Sequence, residues 1–552
     1  MGKGPNDYLG RHGYDDPWSI TDMAPLVAEA TGLQSKVSTG HVRLLFVPGE
    51  EPLMPRSTDE KNLGGNQRLD VEDTPPIHRL MEHTNNADPE IVDFEGPEDP
   101  ANPMNWSRWR KGLTILALCG LRLVTPFATS MMAPAIVEIK KDLNFQSDEA
   151  ASFSISAYVI GFGVGPIFLA PMSEIYGRTI VYHIGNLLFT AFTVGCALSQ
   201  NIETLIVCRI LAGLCGGATM TNPGGTIADM IPVGRRGAVL SILAGVDVIS
   251  PVLGPSAGGY IASAWGWRWM FWFLSILSGS IGIFSVFVLR ETYAPVILAR
   301  KAKRLRETTG NADLRVRGQT TKSLGVLLSR ACLRPLRILI FSPIILALSL
   351  YMSLVYGIIY ILFTTISVVF QGVYGFDTGN AGLTFLGFAA GMVLSLMVAG
   401  YFNDSIHKKL SAKYHEEKPE FRLPFLMGGA LFLPIGMLLY GWCVHYRVHW
   451  ILPVIGTSFA GVGVTFCFVP TQAYIIDAFP LHCASALAGN NLLRSISGGT
   501  VPLAGPALYS RLGVGWGNTL LALLAAMFGG LPILFYKYGE RLRKRFPVDL
   551  SD

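Results

Sequence analysis

The sequence predicts an all-α membrane protein of twelve transmembrane helices arranged as two pseudo-symmetric six-helix bundles. Three observations predict it. Apolar runs of spanning length alternate with short polar breaks from residue 112 onward, and roughly 20 apolar residues suffice to cross about 30 Å of hydrocarbon. One long break, 290–337, divides those runs six and six. Local patterns recur at matching places in the two halves, the mark of a duplicated unit.

Composition agrees. Of 552 residues 50% are apolar and only 15% charged, whereas a soluble domain carries nearer a quarter. Residues 1–105 hold 8 Lys/Arg against 19 Asp/Glu and are rich in Pro and Gly, with no sustained apolar period. They read as a disordered acidic tail, and no apolar run at its start suggests a cleaved signal peptide. The rest of the chain is basic, with 36 Lys/Arg against 20 Asp/Glu. Those charges sit in short loops rather than one patch, which argues against a nucleic-acid partner. The eight cysteines lie mostly inside apolar runs with no CxxC pair, so neither disulfides nor a metal site is expected.

The spans run 112–136, 149–170, 180–199, 203–226, 238–262 and 269–289 in the first bundle (106–289), then a basic linker, 290–337. The second bundle (338–537) follows with 339–368, 380–401, 424–443, 450–475, 484–507 and 517–537, and a basic tail, 538–552. The linker carries twelve Lys/Arg and three acids, whereas the opposite loops carry only Lys140, Lys141, Arg268, Arg447 and Arg511. The positive-inside rule then places both termini and the linker in the cytoplasm. The sequons at Asn105 and Asn403 fall on that side and should stay unmodified.

The internal matches are specific. Spans four and ten both close on Asp-x-x-Pro, Asp229 to Pro232 and Asp477 to Pro480. The next span in each half carries Gly-Pro, 254–255 and 505–506, followed by Gly-Trp at 266–267 and 515–516. Such duplication is typical of alternating-access transporters. Motifs for nucleotide hydrolysis and HExxH are missing. An enzyme is therefore not expected, no cofactor is implied, and transport driven by an ion gradient is the better reading.

Charges inside spans are few: Arg122, Arg209, Asp247 and Arg494. Each costs at least about 2.5–3.5 kcal/mol at mid-membrane, so each is a functional candidate. Asp247 is expected to pair with Arg122 or Arg209, either as a structural ion pair or as a proton-coupling one. Span five also holds Pro251, Gly254, Pro255, Gly258 and Gly259. Its glycines flatten one face for close helix approach, and its prolines free backbone groups that lipid cannot satisfy. Arg122, Tyr356, Tyr360, Asn490 and Arg494 are candidate substrate contacts. Tyr356 and Tyr360 share a helix face with Ser353 and Thr364, and Asn490 and Asn491 lie at helical spacing from Arg494. Rings packed against neighbouring spans explain the same row. Glu174, Gly177, Arg178 and Asp229 lie where spans two to four meet the cytoplasm. There an acid can cap a helix start and Arg178 can reach Asp229, forming a conformational latch.

With these residues in place, about 106–545 of the chain resembles the major facilitator superfamily, specifically its twelve-span drug:proton antiporter branch. Pro171-Met-Ser-Glu174-Ile-Tyr-Gly177-Arg178 resembles the loop motif between spans two and three, departing from it at Ala170, Ile175 and Thr179. Arg209-Ile-Leu-Ala-Gly213-Leu-Cys-Gly216-Gly217 is similar to the span-four motif, whose arginine is implicated in proton coupling. Gly254-Pro255-Ser-Ala-Gly258-Gly259 resembles the span-five antiporter motif. Asn102-Pro-Met-Asn105-Trp106, Phe421-Arg-Leu-Pro424 and the run 484–490 are similar to fungal multidrug, polyamine and metabolite exporters. Asp247 and Arg122 belong to none of these motifs. The resemblance implies efflux of small organic molecules, xenobiotic or secondary metabolite, in exchange for protons. Arg209, by that resemblance, and Asp247, on the physical argument alone, would carry the coupling. The expected partners are a small organic substrate, protons and the lipid bilayer, with the chain acting as a monomer in the plasma membrane or, alternatively, the vacuolar membrane. A proton-coupled importer and a transporter-like nutrient sensor are the rival readings.

Overall fold

Prolines, glycines and caps set where each helix starts, bends and stops. The computed structural model describes residues 91–96, 98–311, 313–316, 324–479 and 483–545. Span one is Arg108–Ser130, opened by Ser107, whose hydroxyl accepts from the Arg110 amide at 3.3 Å. Span two is Asp148–Tyr176, capped by Ser147 with Asp148 and Glu149 in its first turn, where acids favour the helix dipole. Gly177 ends it at φ +104°, and span three, Arg178–Ala197, begins at once. Span four is Ile202–Gly216 continued by Ala218–Met230, span five Val233–Trp265 and span six Arg268–Val288.

Span seven is Pro343–Tyr374, and span eight is Thr378–Leu383 continued by Phe385–Tyr414. Span nine is Leu423–His445 and span ten Ile451–Ala478. The last apolar stretch, Cys483–Arg543, is 61 residues long. It holds two spans, because Gly513 breaks the helix at φ +71°. Beyond that break Gly515, Asn518 and Gly529 lie against His445, Gly441 and Ala430 of span nine in turn, so span twelve runs back antiparallel to it. The expected twelve helices are present, and Gly505-Pro506 lies in span eleven ahead of the reversal. Pro480 of the second Asp-x-x-Pro pattern lies outside the described residues.

Spans one to six pack together, as do seven to twelve. Close packing comes from small residues. A Cβ on Gly161, Gly165 or Gly213 would stand within 2.2 Å of backbone oxygens across the span two–span four contact. Gly391 and Gly461 make the equivalent approach between spans eight and ten, at 2.0 and 2.2 Å.

Two helices lie between the halves, Ala294–Thr309 and Leu324–Phe341. The end of the molecule that carries them is the basic end. Residues 91–96 and 98–105, grouped with the disordered tail in the sequence reading, instead dock here. Ile91–Val92 pairs in parallel with Arg315–Val316, and Val92, Leu298, Ala302 and Val316 bury a small core. Lys301 ties the strap down, reaching Glu95 at 2.9 Å and the Asp93 carbonyl at 3.2 Å. Residues 1–90, the body of the expected tail, lie outside the described residues.

Candidate functional site

Span five presents Leu243, Asp247, Ser250, Gly254 and Gly258 along one face, toward span one. Another face is apolar and exposed, as at Ile242, Ile249 and Leu253, as a lipid-facing surface would be. Ser250 donates to the Leu123 carbonyl at 2.5 Å. Pro255 has no N–H to give the Pro251 carbonyl one turn back, and Ser130 of span one supplies the missing donor at 2.7 Å. A Cβ on Gly258 would stand 2.1 Å from the Met131 carbonyl, and one on Gly254 2.7 Å from that of Phe127. The two helices therefore touch backbone to backbone.

At the Asp247 level of this seam, Arg122 Nε and Nη2 donate to the two oxygens of Asp247 at 2.6 Å each. This forked pairing joins charge and two hydrogen bonds in one contact. Arg122 Nη1 also reaches the Met220 carbonyl at 3.2 Å. The side chains are 14% and 24% exposed, so the pair is sheltered without being sealed.

Arg209 is not a partner of Asp247. It is 2% exposed and spends its donors on the carbonyls of Ala128, Thr129, Ser154 and Ile155. Its guanidinium also sits 4.9 Å from the Tyr158 ring centre. It clamps spans one, two and four together.

Arg494 differs from both. Its guanidinium lies 4.1 Å from the Tyr356 ring centre and 5.0 Å from that of Phe468, and Nη2 donates to Asn491. A Cβ on Gly163 of span two would stand 2.1 Å from the Cβ of Ser495, next to Arg494, and one on Gly498 would lie 3.1 Å from the Tyr360 ring and 3.4 Å from Val159. Span two of the first bundle thus reaches the contact between spans seven and eleven. Tyr356 and Tyr360 stack along span seven with centroids 5.9 Å apart. Ser353 and Thr364 of the same row donate to carbonyls of their own helix, so they offer no free proton to a ligand.

The latch residues meet at the basic end. Arg178 Nε lies 3.6 Å from Asp229, and Arg178 Nη1 donates to Ser173 at 3.0 Å. Glu174 is exposed. The acid at the start of span three is Glu291, which accepts from the Arg178 amide at 2.9 Å and the Thr179 amide at 3.3 Å. A side chain on Gly177 would collide with it at 2.2 Å. Thr292 adds a bond to Asp229 at 3.2 Å. Sequence reasoning missed Glu291; its signal was an acid immediately after a long apolar span. It also missed Arg422, which pairs with Asp477 at 2.5 Å and so repeats the Arg178–Asp229 contact in the second half. Phe468, the second ring beside Arg494, carried no sequence signal.

The remaining span-five glycine faces the other bundle. A Cβ on Gly259 would stand 2.6 Å from the Thr378 carbonyl, and one on Gly382 would stand 2.4 Å from that of Pro255. Ser256 donates to the Gly382 carbonyl at 3.4 Å and Gln371 to that of Pro134 at 2.9 Å. Deeper in, Ser156 donates to the Gly499 carbonyl at 2.8 Å. The bundles are therefore in contact at the end opposite the basic one.

With that geometry in view, the Major Facilitator Superfamily model matches residues 118–489. The MFS-type transporter penM of Penicillium rubens is 45% identical over 459 residues, covering 83% of this chain and 90% of its own. The efflux pump radE of Floropilus chiversii is 43% identical over 468 residues, covering 84% and 87%. Among solved structures, a D-xylose-proton symporter superposes with a TM-score of 0.59 at 18% identity, covering 77% of this chain and 97% of its own. The chain belongs to the major facilitator superfamily, and it is a multi-pass membrane transporter.

Proposed function

We propose that the protein exports small organic molecules, xenobiotics or secondary metabolites, in exchange for protons, with its basic end in the cytoplasm and Asp247 as the proton-carrying group. The observation that carries this reading is the forked Arg122–Asp247 pair on span five. That helix also supplies Pro255 and Gly259 to the contact between the bundles. A proton on Asp247 cancels the charge that holds Arg122, and separating a buried pair costs about 3–5 kcal/mol. The helix that reads the proton is therefore the helix that seals one end, which is the connection alternating access requires. The resemblance to radE, named an efflux pump, supports the outward direction. Arg209 acts through the helix clamp rather than by taking the proton, since its donors all face carbonyls.

The latch residues fit the same cycle. Arg178–Asp229 and Arg422–Asp477 tie span starts to span ends within each bundle at the basic end, so each bundle moves as a rigid body. A monomer in the plasma membrane completes the reading.

The test is gradient-driven flux in reconstituted vesicles. Asp247→Asn should abolish accumulation against a concentration gradient while downhill equilibration of substrate continues. Undiminished proton-driven accumulation by Asp247→Asn would overturn the coupling role.

A further inference from the structure

Arg122, Arg209 and Arg494 are the mid-span arginines, and the first two have every guanidinium nitrogen bonded. Arg122 holds a carboxylate and a carbonyl, and Arg209 holds four carbonyls. Arg494 is 5% exposed, yet its Nε and Nη1 have no hydrogen-bond partner. Among the described residues no carboxylate lies within ion-pair distance of it. One turn earlier on the same helix face, Asn490 is fully buried, and neither its amide nitrogen nor its oxygen is partnered.

Unmet donors and acceptors at this depth are costly, the more so for a charged group. Four such atoms on two residues one helical turn apart form a buried polar cluster able to hydrogen-bond a ligand. The open set specifies the ligand's chemistry. Arg494 offers only donors, and Asn490 offers one donor group and one acceptor. The guanidinium lies over the Tyr356 and Phe468 rings, and Tyr360 extends the aromatic wall. Ring faces take planar aromatic ligands by offset stacking.

We propose that Arg494 and Asn490 form the polar end of the substrate site and bind an aromatic compound through neighbouring carbonyl and hydroxyl groups. The carbonyl or carboxylate oxygen accepts from Arg494, the hydroxyl donates to Asn490 Oδ1, and organic cations are repelled. This inference rests on the transport reading and names its substrate class.

The experiment uses the full-length protein in nanodiscs, without any gradient, and reads binding by the fluorescence of naphthalene probes. 1-Hydroxy-2-naphthoate and 1-hydroxy-2-acetonaphthone should both bind, the first testing the anion and the second the neutral carbonyl. The O-methyl ether of the ketone should bind about tenfold more weakly, as loss of one hydrogen bond implies, and 1-naphthylmethylamine should not bind. Arg494→Gln should weaken both hydroxy compounds at least tenfold. Asn490→Leu, close in shape, should erase the preference for hydroxyl over methoxy. Equal binding of the amine, or unchanged affinity in a monodisperse Arg494→Gln protein, overturns the proposal. Failure of every probe to bind a protein that still accumulates another compound on a proton gradient counts against this site alone. Probe binding with no proton-linked flux counts against proton exchange alone.

Discussion

Gly259 gives the sharpest handle on the contact between the bundles. Replacing it with Ala puts a Cβ 2.6 Å from the Thr378 carbonyl and 3.2 Å from that of Gly379. Ordinary contact begins near 3.4 Å, so the seam must open by about 0.8 Å or the helices must shift. Overpacking of this kind costs about 1–3 kcal/mol. The strain exists only while the seam is closed, so it shifts the equilibrium toward the open arrangement by roughly 5- to 150-fold. Gly245→Ala on the same helix is the control, because nothing lies within 4 Å of its added methyl, and Ala there favours the helix by about 1 kcal/mol. The assay is a distance distribution between spin labels on cysteines introduced at Ser263 and Asn380, both exposed at this end. Gly259→Ala should move population to longer distances and Gly245→Ala should not. Identical distributions for wild type and Gly259→Ala would refute the claim that this glycine seats the two bundles.

Four further outcomes follow from named contacts. Gly258→Ala should lower the unfolding midpoint without changing the label distances, because its methyl meets Met131 within the first bundle at 2.1 Å. Arg122→Ala should cost about 3–5 kcal/mol, while the Arg122→Ala/Asp247→Ala double variant should recover part of it in a denaturation cycle, since the double change leaves no lone charge. Arg209→Lys should destabilise strongly despite keeping the charge, because one ammonium cannot reach four carbonyls; thermal unfolding in detergent measures it. Lys301→Glu should release residues 91–96 from the linker helix by repelling Glu95 and Asp99, read as faster amide exchange there.

The sequence spoke most clearly where physics is local. Apolar length marked the spans, and Gly254 and Gly258 marked a close helix contact, which span one supplies. Asp247 announced itself as a mid-span acid needing a cation, but two arginines were eligible. Choosing between Arg122 and Arg209 depends on helix rotation, because only the first presents its fork to span five. Residues 91–96 looked featureless because their apolar partners, Leu298, Ala302 and Val316, lie some 200 residues later. Glu291 was hidden for the same reason: what it caps is a helix start more than 100 residues away. The openness of Arg494 is invisible in one dimension, since it is a statement about which neighbours are missing.

The duplication also says how the basic end works. Arg178 and Arg422 open spans three and nine, while Asp229 and Asp477 close spans four and ten, so the same ion pair recurs in each half. What surrounds the pair differs. In the first half an acid after span six, Glu291, caps span three. In the second half, Arg543 near the end of span twelve lies 3.5 Å from Glu420, before span nine, and Lys418 reaches Glu540 at 2.9 Å. The role of tying the last span of each bundle to its third is kept, while the chemistry that performs it has changed. If the ion pairs act as rigid ties, only the attraction matters, and exchanging the partners should preserve it. Arg422→Asp with Asp477→Arg should then restore the thermal stability and flux that either single change removes. Glu420→Gln should loosen span twelve without affecting the Arg422–Asp477 pair, read as faster amide exchange confined to residues 531–545. A double variant no better than its singles would show that Arg422 and Asp477 do separate work, and the rigid-tie account of the basic end would fall.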